Sequence, residues 1–464
     1  MKRKCFLLLP TLGLLCLQPA ANAQTVKITS LGSRTGEFCE LDRNLLFEDP
    51  SGVRILYDPG VTIAGGTDPR LGEIHTILLT HVHNDHIGNQ KLNQDPNAPT
   101  AGCTATAPQT LAPNFNLAEI AAAKNSAIIV GRNMATFVAV KIQNIRGVPT
   151  PGCPSAGLGN QMTVPRTTPC TINLGDGGKR TVTRFEGESG VQIAIVPALH
   201  DNTVSPSLAS SNVILSDPLR TNLTDNGLPA IVGPPTGYVL TFTNGLKVYL
   251  TGDTGIMAEM DTLVNRFYQP SLAVVAVNAG NAALMGPEEA AFAMSRLVKP
   301  KAVIPLHMIE ATTGGRVNPG TNTARFIALM GDTPVYVPKS GVTMEFDSDA
   351  RCVAGCIDDS LSIGPLAIGI SFDPATVQAG GSPTVTFSGK NLTDQMYFDI
   401  RFRSPGSTIN EVALNWQQGT SAKHTIPIGT GLGTWTVTGV RAHPNRDDHT
   451  SDFTPISTGL TVIR

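Results

Sequence analysis

The chain has 464 residues, 41% hydrophobic and 15% charged, with 34 basic against 36 acidic side chains and a net charge of −2. That much apolar material supplies a buried core and excludes wholesale disorder, and the length suits about three domains at ~150 residues each. The near-neutral balance excludes the basic footprint of a nucleic-acid or acidic-membrane binder; 46 Gly and 34 Pro at so low a charge favour loops and β structure over a helical bundle.

In chain order, the first segment has the three parts of an export signal. Met1-Lys2-Arg3-Lys4 is basic, residues 5–17 (CFLLLPTLGLLCL) are apolar, and Ala21-Asn22-Ala23 offers a small-x-small cleavage site before Gln24. The apolar run is short of the ~20 residues that span a bilayer and contains Pro10, so residues 1–23 are expected to be a removed signal peptide rather than a stable membrane anchor. Cys16 follows the bulky Leu15, which argues against lipidation there. The expected location is secreted or periplasmic. Cleavage leaves six cysteines, an even count that favours disulfides in an exported chain. Cys352 and Cys356 are close enough to pair locally, and Cys153 and Cys170 flank a Pro/Gly/Thr-rich stretch they can staple; free buried thiols are the alternative. No Cys-x-x-Cys is present to support a redox motif or a cysteine zinc site.

Residues 25–60 carry short strand patterns (VKITSLG, NLLFED, VRILYDPG), and IHTILLT (74–80) suits a buried strand. Residues 117–142 look helical and then mixed, and 147–180 read as a long loop within an insertion of about 90–185. VQIAIVPAL (191–199), GYVLTFT (237–243), LKVYLTG (246–252) and LAVVAVNAG (272–280) are strands, with Asn244-Gly245 as a hairpin turn. Gly286-Pro287-Glu288-Glu289 opens a helix to about Leu297, since Pro suits the first helical position and carboxylates suit the positive end of the helix dipole. KAVIPLH (301–307) and TPVYVP (333–338) complete a pattern of two β-rich layers flanked by helices over 24–346. Residues 347–365 have no periodicity and read as a linker. Residues 366–464 hold only turn-separated strand patterns (SPTVTFSG, MYFDIRFRS, EVALNWQ, GTWTVTGV, GLTVIR), the mark of an all-β immunoglobulin-like sandwich.

The chemistry concentrates in T-H-V-H-N-D-H-I-G, which puts His81, His83, Asp85 and His86 within six residues at the end of an apolar strand. Such clustering of imidazole and carboxylate points to a metal, Zn²⁺ first, with Fe or Mn as lesser options. His81 and His83, two apart, can converge on one ion; Asp85 and His86, displaced round the next turn, can serve a second. His200, Asp253 (in T-G-D-T-G) and His307 each follow an apolar strand, and strand ends are where α/β folds assemble sites. Taken singly, each of these three has a structural or turn role as its alternative. Tyr238 and Asn278 are candidate pocket residues with ordinary packing as the alternative. His424, His443 and His449 show no clustering and read as surface or core residues, and Asp447-Asp448-His449 as a solvated turn.

With these parts in this order, Asp58 in YDPG, then HVHNDH, His200, Asp253 and His307, residues 25–345 resemble the metallo-β-lactamase superfamily of metal-dependent hydrolases, near a lactonase-like bacterial branch. The resemblance implies a four-layer αβ/βα sandwich with a two-metal site on its edge. It implies that His81, His83 and His200 hold one ion, that Asp85, His86 and His307 hold the other, and that Asp253 bridges them. Asp85 and Asp58 are the candidate catalytic residues, Asp58 from behind the ligands as a hydrogen-bond acceptor, with a plain turn aspartate as its alternative. His83 stands where di-iron flavoproteins of the superfamily commonly carry Glu, and β-lactamases lack an aspartate such as Asp253; both departures favour general hydrolysis. Asp201-Asn202 and Met308-Ile309-Glu310 depart from the branch, so its substrate is not inherited.

The function expected is an exported dinuclear zinc hydrolase that uses a metal-bound hydroxide on a small-molecule ester, lactone or phosphodiester. No Gly-x-Ser-x-Gly elbow or phosphate-binding loop points elsewhere. Two other readings stay open: an envelope or surface binding protein with a structural metal, and a mononuclear iron oxygenase of the same superfamily. The C-terminal module is a candidate binder of carbohydrate or protein.

Overall fold

The computed structural model describes residues 24–93, 103, 109–154, 161–162, 167–204, 225–226, 230–278, 284–308, 312–357, 359, 364–451 and 453–464. The expected signal peptide and the Ile309-Glu310 departure lie outside the described residues. Two mixed sheets form the first domain. One has eight strands in the spatial order Cys352–Ala354, Thr343–Phe346, Val26–Ser30, Leu45–Glu48, Arg54–Tyr57, Thr76–Leu78, Ala127–Gly131, Cys170–Leu174. The other has seven, in the order Ala302–Leu306, Leu272–Ala276, Lys247–Leu250, Thr236–Thr241, Gly190–Pro197, Lys179–Thr183, Gln161–Met162.

The period of two along each strand decides the layering. In the first sheet Leu45, Phe47, Ile55, Tyr57, Leu78 and Ile129 face the second sheet and share a core with Ile193, Ile195, Leu240, Val248, Val274 and Ile304. Their neighbours Leu46, Leu56, Ile77, Ile128 and Val130 point the other way, onto Leu117, Ile120, Phe137 and Val138 of helices Asn116–Lys124 and Met134–Arg146. Helical residues Val264, Ala290, Met294 and Phe326 cover the far side of the second sheet. The result is the helix–sheet–sheet–helix layering expected of the superfamily resemblance.

Several local expectations are corrected. The mixed run after 117 is two helices around the all-apolar strand Ala127–Gly131. The stretch read as loop, 147–180, contributes Cys170–Leu174 to one sheet and Gln161–Met162 and part of Lys179–Thr183 to the other. Cys170–Leu174 is the edge strand of its sheet, where polar residues are tolerated, and Lys179–Thr183 lies one strand in from the edge of the other. TPVYVP is no strand: Val335 makes only an isolated bridge to Val303, and prolines 334 and 338 withhold two ladder donors. The segment read as linker, 347–365, returns to the first sheet at Cys352–Ala354, and its buried Asp359 pairs with Lys339 Nζ at 3.0 Å. The Asn244-Gly245 hairpin joins Thr236–Thr241 to Lys247–Leu250 as expected, and the helix opened by Pro287 continues through Val298. Cysteines pair as 39–103, 153–170 and 352–356.

The C-terminal region is a sandwich. A three-stranded sheet (Leu366–Asp373, Thr384–Lys390, Ser421–Lys423) lies on a five-stranded one (Thr376–Gln378, Thr454–Ile463, Gly433–His443, Tyr397–Arg403, Glu411–Gln418). Ala367, Ile370, Val385 and Phe387 from the first meet Phe398, Ile400, Val437 and Val440 from the second. Lys390 Nζ donates to Gly331 O just past helix Asn322–Leu329, tying this module to the first domain. Among the described residues no helix is long and apolar enough to cross a membrane.

Candidate metal centre

The site is built where strands stop. After Thr76–Leu78 the chain passes Thr80 and His81, then turns into the one-turn helix Asn84–Ile87, which carries Asp85 and His86. Gly88 ends that turn at φ 78°, and a Cβ there would meet Gly60 O at 2.3 Å, so only glycine lets the two loops close. Lys247–Leu250, Leu272–Ala276 and Ala302–Leu306 run parallel, so the residues after them emerge at one edge; Asp253 and His307 are two of these. His200 is held by its neighbour: Leu199 N–H donates to Thr254 Oγ1 at 2.9 Å. His307 itself sits at φ 61°, a left-handed conformation that a non-glycine residue adopts at a cost of ~1–3 kcal/mol and that aims its ring inward.

All seven expected ligand residues converge. The ligand atoms of His81, His83, His200 and Asp253 lie within 4.8 Å of one another, and so do those of Asp85, His86 and His307. One oxygen, Asp253 Oδ2, faces both groups: it is 3.8 Å from His81 Nε2 and His200 Nε2, 3.4 Å from His86 Nε2 and 3.2 Å from His307 Nε2. His200 Nε2 is 3.3 Å from His83 Nδ1, and His307 Nε2 is 3.3 Å from Asp85 Oδ2. Ligands at ~2.0–2.1 Å from a tetrahedral zinc stand about 3.3 Å apart, so these spacings match donors around a cation better than they match hydrogen bonds. His81 Nε2, His86 Nε2 and Asp253 Oδ1 are buried without a well-formed hydrogen bond, which is costly unless a cation accepts them. The donor set therefore fits transition-metal ions.

The outer contacts aim the rings. His86 Nδ1 is 2.9 Å from Asp58 Oδ2; a carboxylate only accepts, so the ring proton sits on Nδ1 and the Nε2 lone pair faces inward. Asp58 also accepts from Thr80 N–H and Thr80 Oγ1, each at 2.8 Å, while Thr80 Oγ1 is 3.0 Å from His81 Nδ1. Asp58 is 1% exposed with both oxygens engaged, so its expected catalytic role is corrected to that of a positioning residue behind the histidines. Asn278 Nδ2 comes within 3.4 Å of His307 Nδ1, the ring nitrogen on the side away from Asp253, so Asn278 packs behind the ligand. Tyr238, the other pocket candidate, is a core residue whose hydroxyl donates to Leu79 O at 2.6 Å. Asp201 places a carboxylate 3.8 Å from His83 Nε2, and Asn202 ties the two loops, accepting from Val82 N–H at 2.9 Å.

Arg43 had no signal in the sequence. Its Nε donates to Asp85 Oδ2 at 3.0 Å with the side chain 5% exposed, 42 positions away along the chain. In the metal-free site, burial pushes His81 well below the usual histidine range, aided by the neighbouring His86. Burial acts on His86 in the same sense but is overcome by Asp253 and Asp85, which hold it well above that range. Burial raises Asp253, yet His86 and His307 keep it well below the carboxylate range. Three carboxylates against one guanidinium make this a cavity for cations.

A family model described as a beta-lactamase superfamily domain matches residues 43–307, more than half of the chain and the span from Arg43 to His307. A UPF0173 metal-dependent hydrolase of Cupriavidus taiwanensis is 26% identical over 306 residues, covering 64% of this chain and 82% of the relative. Another, of Cupriavidus necator, is 28% identical over 306 residues, covering 64% and 81%. A third, of Polynucleobacter asymbioticus, is 26% identical over 306 residues, covering 64% and 81%. Family match, layering and a converged His/Asp cluster agree: the chain belongs to the metallo-β-lactamase superfamily and is a metal-dependent hydrolase.

Proposed function

We propose that this chain is an exported hydrolase that binds two zinc ions and cleaves a small-molecule ester, lactone or phosphodiester. The observation that carries the reading is the position of Asp253 Oδ2, within 3.8 Å of imidazole nitrogens from both groups. His81, His83 and His200 would hold one ion and Asp85, His86 and His307 the other, with Asp253 shared. Bound there, Zn²⁺ would supply Lewis acidity, lowering the pKa of a coordinated water to ~7 and polarising an acyl or phosphoryl oxygen.

The chain's own residues do the rest. Asp58 and Thr80 keep the proton of His86 on Nδ1 and fix His81, so the inward nitrogens present lone pairs rather than N–H groups. Arg43 pins Asp85, whose side chain is 27% exposed at the mouth, in the orientation a ligand of the second ion would need. His83, 32% exposed, marks the same open side, from which substrate enters. The hydrolase assignment leaves no support for a binding protein with a merely structural metal or for an iron oxygenase. Export is supported by the basic–apolar–Ala-x-Ala opening and by three cysteine pairs.

Zinc-reconstituted protein assayed on lactones, phosphodiesters, carboxylic esters and β-lactams should hydrolyse one of the first three classes, and His81→Ala should abolish it. Hydrolysis unaffected by His81→Ala, or fewer than two bound equivalents of metal, would overturn the reading. Amino-terminal sequencing of exported protein should begin at Gln24.

A further inference from the structure

We propose that Asp399, His443 and His449, in the C-terminal sandwich, form a separate site for one zinc-class divalent cation. Neighbouring strands Tyr397–Arg403 and Gly433–His443 pair with Asp399 opposite Arg441 and Tyr397 opposite His443. Residues two apart share a face of a sheet, so Asp399, Arg441 and His443 meet on one side, and the following loop brings His449 back over them. The ligand atoms of Asp399, His443 and His449 lie within 4.8 Å of one another.

The hydrogen bonds of His443 carry the argument. Its Nδ1 is 2.7 Å from Asn445 O, and a carbonyl only accepts, so the ring proton is on Nδ1 and Nε2 of the neutral ring is a bare lone pair. His443 is 1% exposed, and Nε2 is buried without a hydrogen bond, 3.3 Å from Asp399 Oδ1. A lone pair facing a carboxylate is repulsive unless a cation lies between them, and 3.3 Å is about the spacing of two donors on a tetrahedral zinc. A ring whose far nitrogen donates to a backbone carbonyl is also the usual support of a metal-binding histidine. His449 Nδ1 lies 3.0 Å from Asp399 Oδ2, so by the same rule it carries a ring proton in that contact; binding an ion would displace this proton and make Nδ1 the third donor.

Two further groups already contact the carboxylate: Asn415 N–H at 2.6 Å on Oδ1 and Arg441 Nε at 2.7 Å on Oδ2. The guanidinium does not preclude a cation, since Arg43 stands in the same relation to Asp85 in the first cluster. Arg441 also donates from Nη1 to His449 O at 2.7 Å and Ser451 O at 3.1 Å, anchoring the loop that carries His449. Two imidazoles and one carboxylate select a zinc-class ion over the all-oxygen preferences of Ca²⁺ and Mg²⁺.

The test uses the full-length chain with its disulfides intact, stripped by chelator, dialysed and titrated with Zn²⁺ alone by calorimetry, with metal content measured after desalting. Wild type should hold one equivalent more than His449→Ala, a change at a partly exposed side chain, and one more than His443→Gln, which keeps a polar side chain of similar size. The difference counts one ion however many the first cluster holds, so failure of the two-zinc reading leaves it interpretable. Equal zinc content in wild type and both variants would overturn the proposal and would mean that a proton, not a metal, separates His443 from Asp399.

Discussion

The two His/Asp clusters use the same parts on different supports. In the first domain the donors hang from strand ends and loops at the edge of two facing sheets, and three carboxylates outnumber one guanidinium. In the sandwich the central carboxylate sits within a strand, and one guanidinium faces one carboxylate. Charge excess makes the first a strong cation trap, while near-neutrality makes the second a weaker one whose geometry is nonetheless stiff. Strand ends let donors from distant segments converge and leave an open side for substrate; a strand interior offers rigidity and little access.

The largest expected effect falls on the shared carboxylate. Asp253→Asn should cut hydrolysis by roughly 10³-fold or more, since it removes the carboxylate that faces both histidine groups; metal analysis should show the first cluster depleted while the proposed sandwich site keeps its ion. Retention of two ions in the first cluster would break the contrast between a shared anion and a single site.

Next comes Arg441→Met, which leaves Asp399, 0% exposed, without its guanidinium. Breaking such a buried pair costs about 3–5 kcal/mol, so the unfolding midpoint of the sandwich should fall well below that of the first domain in a chemical melt. Added Zn²⁺ should restore part of the loss, because the ion replaces the missing positive charge.

A smaller effect is expected at Asp58→Asn. Removing the acceptor behind His86 should cost about 10–100-fold in metal affinity or rate while leaving the melt nearly unchanged. A loss matching that of Asp253→Asn would place Asp58 among the ligands.

The finest distinction is in acid. Imidazoles must be neutral to bind metal, so ions should leave both clusters as protons compete for the ring nitrogens in acid. In the sandwich, burial raises Asp399, but hydrogen bonds from Arg441 and Asn415 N–H outweigh it and hold the group below the carboxylate range. A depressed carboxylate contributes stability that is fully present above its unfolded value, ~3.9, and is lost as pH falls through the lower folded value. Metal release should therefore precede acid unfolding of the sandwich, which should begin only below about pH 4. Circular dichroism and metal release followed over the same pH series would show the two steps merged if the Arg441–Asp399 pair contributed nothing.

Legibility in the sequence followed distance along the chain. HVHNDH announced itself because four donors in six residues serve no packing purpose, and His200, Asp253 and His307 were marked by the apolar strands before them. Most strands were readable because sheet residues alternate or run apolar; Cys170–Leu174 and Cys352–Ala354 were not, because they are edge strands, which keep polar residues. His443 and His449 looked scattered, since no sequence window shows that Asp399, 44 and 50 positions earlier, pairs across a ladder with their neighbour Arg441.

By itself, then, the amino-acid order determined the layered class of the first domain, the β character of the last hundred residues and the seven donors of the first cluster, because each of these is written in local periodicity or local density of ligand types. Only the tertiary structure decided that Arg43 leans on Asp85, that Asp58 supports rather than reacts, that Cys39 meets Cys103, and that Asp399 gathers two histidines. Those pairings join segments tens of residues apart. They are set by which strand ends and loops the packed sheets bring into register, a property of the whole core that no short stretch of chain contains.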